Sequence, residues 1–254
     1  MALLTQLSLT QCSAADSPAA PPADRLRVQL MTSLPLVWGE GASMQSVLSG
    51  ETEPAPVYRY WQQQYDMVAI DSLEKLAEQD PDRLILAQPR AMAPADLADL
   101  DAWVGAGGDV IILTDPDLAW PSALPFADPR RPLAGGLLSP LLDHWGVELT
   151  GTADAGALVE PVRMDQYSFI TRVPGALAPI AGGSRADVRC TFHETGFLAH
   201  CSVGKGRAII VADADFLDAA LWPEEARRIP AQSGAIRFMD SLIRGQRQSG
   251  EAGE

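Results

Sequence analysis

The sequence is poor in cysteine and histidine, with three of each in 254 residues. No stretch of it approaches the ~20 consecutive apolar residues that a membrane-spanning helix needs. Basic residues are also few, 19 against 33 acidic ones, for a formal net charge of −14. Lys and Arg are scattered, with no cluster larger than Arg130-Arg131 or Arg227-Arg228. Such a surface repels nucleic acid and anionic lipid headgroups at long range, so neither is expected as a partner. Catalytic signatures are missing too. There is no Gly-x-Ser-x-Gly or Gly-x-Cys-x-Gly elbow, no phosphate-binding Walker loop and no dinucleotide fingerprint. Ser33 and Ser72 follow strands, but neither has a histidine near it in sequence. No cofactor is expected.

What is present reads as an ordinary globular chain, 47% hydrophobic and 20% charged. A chain of this size buries roughly 70% of its unfolded surface and needs neither metal nor disulfide to hold a core. Residues 1–24 read as a flexible leader. Met1 to Cys12 faintly suggests the tail of an export or lipoprotein signal, but it lacks a positive start, and Gln11 is a poor residue before a lipidated cysteine. Residues 25–245 read as a single α/β domain, and 246–254 as a loose polar tail.

Short apolar strands alternate with helical patterns along this domain. Leu26, Val28 and Leu30 begin a first strand, broken by Leu36-Val-Trp-Gly-Glu-Gly41. Val57, Tyr60, Trp61 and Tyr65 fall at helical spacing. Met67–Ile70 is a second strand, and Asp71 with Glu74 has the spacing of a capping box. Arg83–Gln88 is a third strand. Pro94 opens a helix with Leu97, Leu100, Trp103 and Val104 on one face, and Asp109–Thr114 is a fourth strand. A Pro-rich loop covers 116–136, a helix carries Leu138, Leu141, Leu142 and Trp145, and 147–180 read as irregular strands. Thr195-Gly196 is placed as the two-residue turn of a hairpin. That register sets Cys190 opposite Cys201 and puts Cys190, Phe192, Phe197, Ala199 and Cys201 on one face. Arg207–Val211 is a further strand, ending at Asp213-Ala-Asp215, and Ile236, Met239, Leu242 and Ile243 mark the last helix. The pattern predicts a mostly parallel sheet covered on both faces, with a C-terminal β-hairpin region.

Three constellations carry chemistry. Cys190, His193, His200 and Cys201 suggest zinc, but the hairpin register sends the cysteines to one side and the histidines to the other, so no metal site is expected. A cross-strand disulfide between Cys190 and Cys201 is open to a chain in an oxidising compartment. His144, near a helix end, reads as a capping or surface residue. Asp71, Asp115, Asp117, Asp213 and Asp215 follow strands, where open α/β sheets bind ligands. Asp after a strand also commonly caps a helix or starts a turn. Trp38, Glu40 and Trp120 sit in loops at the same edge and could stack on or flank a ligand. The candidate ligand-binding set is therefore Trp38, Glu40, Asp115, Asp117, Trp120, Asp213 and Asp215. The rival reading of these residues is a divalent-metal hydrolase.

Three stretches carry a family resemblance. One is Arg83-Leu-Ile-Leu-Ala-Gln-Pro-Arg with Pro94 through Leu113. The second is Leu141-Leu-Asp-His-Trp-Gly-Val-Glu-Leu149, and the third is Gly204-Lys-Gly-Arg-Ala-Ile-Ile-Val-Ala-Asp-Ala-Asp-Phe-Leu217. Together they resemble the soluble domain of auxiliary components of uncharacterised ABC transport systems, the GldG-like group. The resemblance implies a three-layer α/β/α sandwich similar to class I glutamine amidotransferases and the flavodoxin-like folds. Those enzymes place a cysteine at a strand-to-helix elbow, where this chain reads Leu113-Thr-Asp115-Pro, so a non-catalytic accessory or ligand-binding component is implied. Its partners would be membrane transporter subunits or a small ligand, in the periplasm or cell envelope, with the cytoplasm left open.

Overall fold

The computed structural model describes residues 25–151, 159–183 and 185–245. The leader expected at 1–24 and the tail expected at 246–254 lie outside the described residues. In chain order the elements are β1 (Arg27–Thr32), α1 (Met44–Leu48), α2 (Pro56–Gln64), β2 (Asp66–Ala69), α3 (Leu76–Gln79), β3 (Arg83–Ala87), α4 (Pro94–Ala106) and β4 (Asp109–Leu113). There follow α5 (Ser139–His144), β5 (Val147–Thr150), β6 (Glu160–Met164), β7 (Tyr167–Thr171), β8 (Ala176–Pro179), β9 (Val188–Phe192), β10 (Leu198–Val203) and β11 (Gly206–Val211). The chain then makes short 3-10 turns at Asp215–Leu217, Ala219–Leu221 and Pro230–Gln232, with α6 (Glu224–Arg228) before the last turn, and ends in α7 (Gly234–Arg244).

Seven strands form one mixed sheet in the order β2-β1-β3-β4-β11-β10-β9. The first five run parallel, and β10 and β9 add an antiparallel margin. The stretch expected as irregular strands resolves into two separate antiparallel pairs, β5 with β8 and β6 with β7. The central strands read as continuous apolar runs because both faces are buried. Alternate residues feed two clusters: Ile85, Ala87, Ile111 and Leu113 join one, and Leu84, Leu86, Val110 and Ile112 the other. The first cluster is completed by α2 (Val57, Trp61) and α7 (Ile236, Met239), and the second by α4 (Leu100, Val104) and α5 (Leu141, Leu142).

Local signals set the helix ends. Pro94 occupies the first turn of α4, where its missing N–H costs nothing, and Asp96 accepts the Ala93 N–H at 3.1 Å. Two local expectations need correction. Asp71 and Glu74 do not form a capping box, since α3 begins only at Leu76 and the Glu74 N–H donates to Ser72 Oγ. The β9–β10 turn is also wider than two residues, because its closing bond runs from His193 N–H to the Leu198 carbonyl. The pairing of Cys190 with Cys201 is unchanged, but Phe197 falls within the turn. It packs into the cluster opposite to that of Ala199 and Cys201. Cys190 and Cys201 are joined across the two strands, 11 residues apart in sequence.

Candidate functional site at the carboxyl edge

Strands β1, β3, β4 and β11 end in register, with Thr32 beside Ala87, Ala87 beside Leu113, and Leu113 beside Val211. The residues that follow them therefore emerge along one edge of the sheet. Gln88, in the left-handed region at φ 45°, is wholly buried there. Its amide accepts the Asp115 N–H at 2.8 Å and donates to the Asp115 and Leu133 carbonyls at 3.0 and 3.1 Å. Ser33 Oγ donates to the Gln88 carbonyl at 2.5 Å. This amide replaces the ladder where the strands run out, so the Pro-rich loop after β4 starts from a fixed backbone.

Three carboxylates, Asp115, Asp213 and Asp215, are buried at this edge. Asp115 accepts its second neighbour's amide, Asp117 N–H, at 2.8 Å on Oδ1, while its Oδ2 has no partner. Asp213 accepts the Thr171 hydroxyl at 2.6 Å on Oδ2 and the Phe216 N–H at 3.2 Å on Oδ1. Asp215 accepts the Ala119 N–H at 2.8 Å on Oδ2 and Arg172 at 3.2 Å on Oδ1. The other arm of Arg172 reaches Asp218 at 2.7 Å.

Arg172 thus bonds two acids, Asp215 and Asp218. Burial, then the charges of Asp215 and Asp117, push Asp115 up to about 7, against the opposing pull of amide hydrogen bonds. Burial followed by the charge of Asp115 lifts Asp213 well above the usual carboxylate range. Burial also raises Asp215, against the pull of the Ala119 amide and Arg172. Near neutrality the cluster therefore holds on to a proton.

The remaining candidates lie around this cluster, not within it. Asp117 is exposed, its carboxylate set against Gly151, and only its N–H faces Asp115. Glu40 accepts the Ala123 N–H on both oxygens, at 3.1 and 3.2 Å, tying the loop after β1 to the Pro-rich loop. Trp120 is half-buried against the first core cluster, whereas Trp38 stands 53% exposed on the rim. Of the histidines, His200 is exposed on β10 and His193 bonds Thr195 in the turn. His144, the last residue of α5, meets Arg185 and Asp101. Among the described residues no group of three or more His, Cys, Asp or Glu is arranged to hold a metal ion.

Sequence reading did not find Thr171, Arg172 or Gln88. Thr171 ends and Arg172 follows a hairpin strand outside the main sheet, 42 to 46 residues from their partners. No local spacing links such residues. Chemically, the edge can hold a proton and fix backbone, and each buried acid already spends at least one oxygen on a neighbouring N–H, hydroxyl or guanidinium group.

The region that contains α4, β4 and the Pro-rich loop also has relatives. Residues 25–155, just over half of the chain, match the family model described as an ABC-type uncharacterized transport system. The chain belongs to this family, that of ABC transport auxiliary components. In this auxiliary component no helix among the described residues is long and apolar enough to cross a membrane. None of the curated proteins matches it. Solved structures that are similar to it include the exo-beta-1,4-mannosidase Op5Man5 from Opitutaceae bacterium strain TAV5, with 13% identity and a TM-score of 0.46 over 85% of this chain and 36% of that one. The auxiliary component thus spans about a third of the mannosidase. The mmIFT52 N-terminal domain aligns with 10% identity and a TM-score of 0.47 over 87% of this chain and 98% of its own. The cytoplasmic protein STM3548 from Salmonella typhimurium aligns with 11% identity and a TM-score of 0.44 over 85% and 98%.

Proposed function

We propose that this chain is a non-catalytic, GldG-like accessory of a cell-envelope ABC transport system, working through surface contact or ligand capture at the carboxyl edge. Membership of the auxiliary family supports the transporter partner. In this reading the fold is a three-layer α/β/α sandwich of the class I glutamine amidotransferase kind, with Asp115 standing where the catalytic cysteine of such enzymes would be. One observation carries the non-catalytic part. The buried acids at this edge, Asp115, Asp213 and Asp215, are bonded to the chain's own N–H groups, Thr171 and Arg172. They lock the strand ends in place and leave the exposed rim, with Trp38, Glu40, Asp117 and the edge of Trp120, as the contact face.

The test is co-purification of the tagged full chain, expressed in its native cells, with the ATPase and permease subunits of an ABC transport system. Retention through a salt wash, lost on Trp38→Ala, is the expected result. Steady hydrolase turnover that depends on a divalent cation and disappears in Asp115→Asn would overturn this reading in favour of a metal-dependent hydrolase.

A further inference from the structure

A second feature lies beside the C-terminal turns and is lined by none of the strand-end acids. A cavity of about 620 Å³ opens between the β6–β7 hairpin and the start of α7. That volume is within the range of small-molecule sites. One wall is Phe169 and Ile170 of β7, and the facing wall is Leu221, Trp222 and Pro223. Ile170 is 40% exposed, so an apolar surface reaches the opening.

The end of the cavity is polar and carries one sign of charge. Gln232, Ser233, Gly234 and Arg237 line it, together with Arg227. Among the described residues that line it there is no Asp or Glu, in a chain whose net charge is −14. Arg227 is pinned by its bonds to the Trp222 and Ala220 carbonyls at 3.2 and 2.8 Å, so neither contact neutralises it. Arg237 is exposed at the rim.

The start of α7 adds donors. Its first backbone bond runs from Arg237 N–H to the Ser233 carbonyl at 3.0 Å, so the amides of 234–236 precede the helical ladder, and of these three residues it is Gly234 that lines the cavity. Ser233 itself is only 1% exposed, lines the cavity, and makes no capping bond with its hydroxyl. Serine at this position ordinarily caps the helix. Here that hydroxyl is left to the cavity. Gly234 explains how the helix comes so close: a Cβ there would fall 1.9 Å from the Ser168 carbonyl oxygen, so only glycine lets the helix start seat against β7.

We infer that this cavity binds a small amphipathic carboxylate, with its head at Ser233 and Arg237 and its apolar body along Phe169, Ile170, Leu221 and Trp222. The positive end of the helix dipole and two guanidiniums select an anion. The apolar walls select a hydrocarbon body over a free inorganic ion. None of the residues that build the carboxyl edge lines this cavity, and ligand can bind whether or not a transporter is met. This inference and the proposed function therefore fail separately.

The experiment is calorimetric titration of the full chain with decanoate, acetate, decyl phosphate and decyltrimethylammonium, each below its micelle concentration. Decanoate is expected to saturate at one site, with acetate and the cationic amphiphile weaker by about a hundredfold or more. Arg237→Glu and Ile170→Asp, both at exposed positions, should each weaken decanoate about tenfold or more with the circular dichroism unchanged. The inference is overturned by equal binding of the cation, by an unchanged affinity in Arg237→Glu, or by no saturable decanoate binding at all. Decyl phosphate binding more than about tenfold tighter than decanoate would overturn the carboxylate assignment.

Discussion

The hydroxyl of Thr171 donates to Asp213 Oδ2 at 2.6 Å across 42 residues of sequence, and neither side chain meets solvent. It is a bond between the β6–β7 hairpin and the end of a central strand, so it helps hold the hairpin on the sheet. Thr171→Val keeps the shape and removes the donor. Leaving a buried acceptor short of a partner costs about 1–3 kcal/mol, and urea denaturation should show that loss with an unchanged slope.

The raised titration of Asp115 gives a pH dependence of defined sign. Its folded value, about 7, lies above the ordinary carboxylate value, so the folded state binds the proton more tightly than the unfolded chain. The stabilisation is complete below the unfolded value near 4 and is lost as pH rises through about 7. Melting temperature should therefore fall between pH 5 and pH 8. Asp115→Asn should flatten that slope and raise the melting temperature at pH 8 by about 2–4 °C for each kcal/mol recovered. Thermal scans of both proteins across this range check it, and a wild-type profile that rises towards pH 8 would contradict it.

Among the described residues Arg172 is the only cation bonded to Asp215, and it also holds Asp218. Its side chain is 13% exposed and that of Asp215 1%. Arg172→Met would leave a buried charge unpaired, at a cost of about 3–5 kcal/mol. The double variant Arg172→Met with Asp215→Asn should recover a large part of it, and a denaturant double-mutant cycle measures the coupling.

Sequence reading found the central strands because burial on both faces makes Leu84–Ala87 and Val110–Leu113 nearly uninterrupted apolar runs. It also placed Asp115, Asp213 and Asp215 at one edge of the sheet, because acids shortly after parallel strands must emerge there. It could not tell which way each acid turns. Asp117 follows Asp115 by only two residues, yet its side chain is exposed while that of Asp115 is buried. The width of the β9–β10 turn was equally hidden, since Thr195-Gly196 fits a tight turn, whereas burial of Phe197 in the opposite cluster requires a wider one. Residues 215–232 carry no apolar period, and their short turns are set by Asp213 and Asp218 accepting nearby amides.

The Cys190–Cys201 pair is directly measurable. In the oxidised chain, denaturation without reductant should expose one reactive thiol, that of Cys12, and reduction should expose all three. Reduction should also lower stability by about 2–3 kcal/mol, as expected for so short a closed loop. Three reactive thiols before reduction would show that the pair is open.

That linkage sits on β9, the outermost strand at one end of the seven-stranded sheet. An outermost strand is in general the place where a second chain can add its own strand. With β9 fastened covalently to β10, the margin cannot peel away to trade places with the same segment of another molecule. In an oxidising compartment the fold would thus resist strand exchange, and in a reducing one β9 would be held by its hydrogen bonds to β10 and by the packing of Val188, Cys190 and Phe192 against the second core cluster.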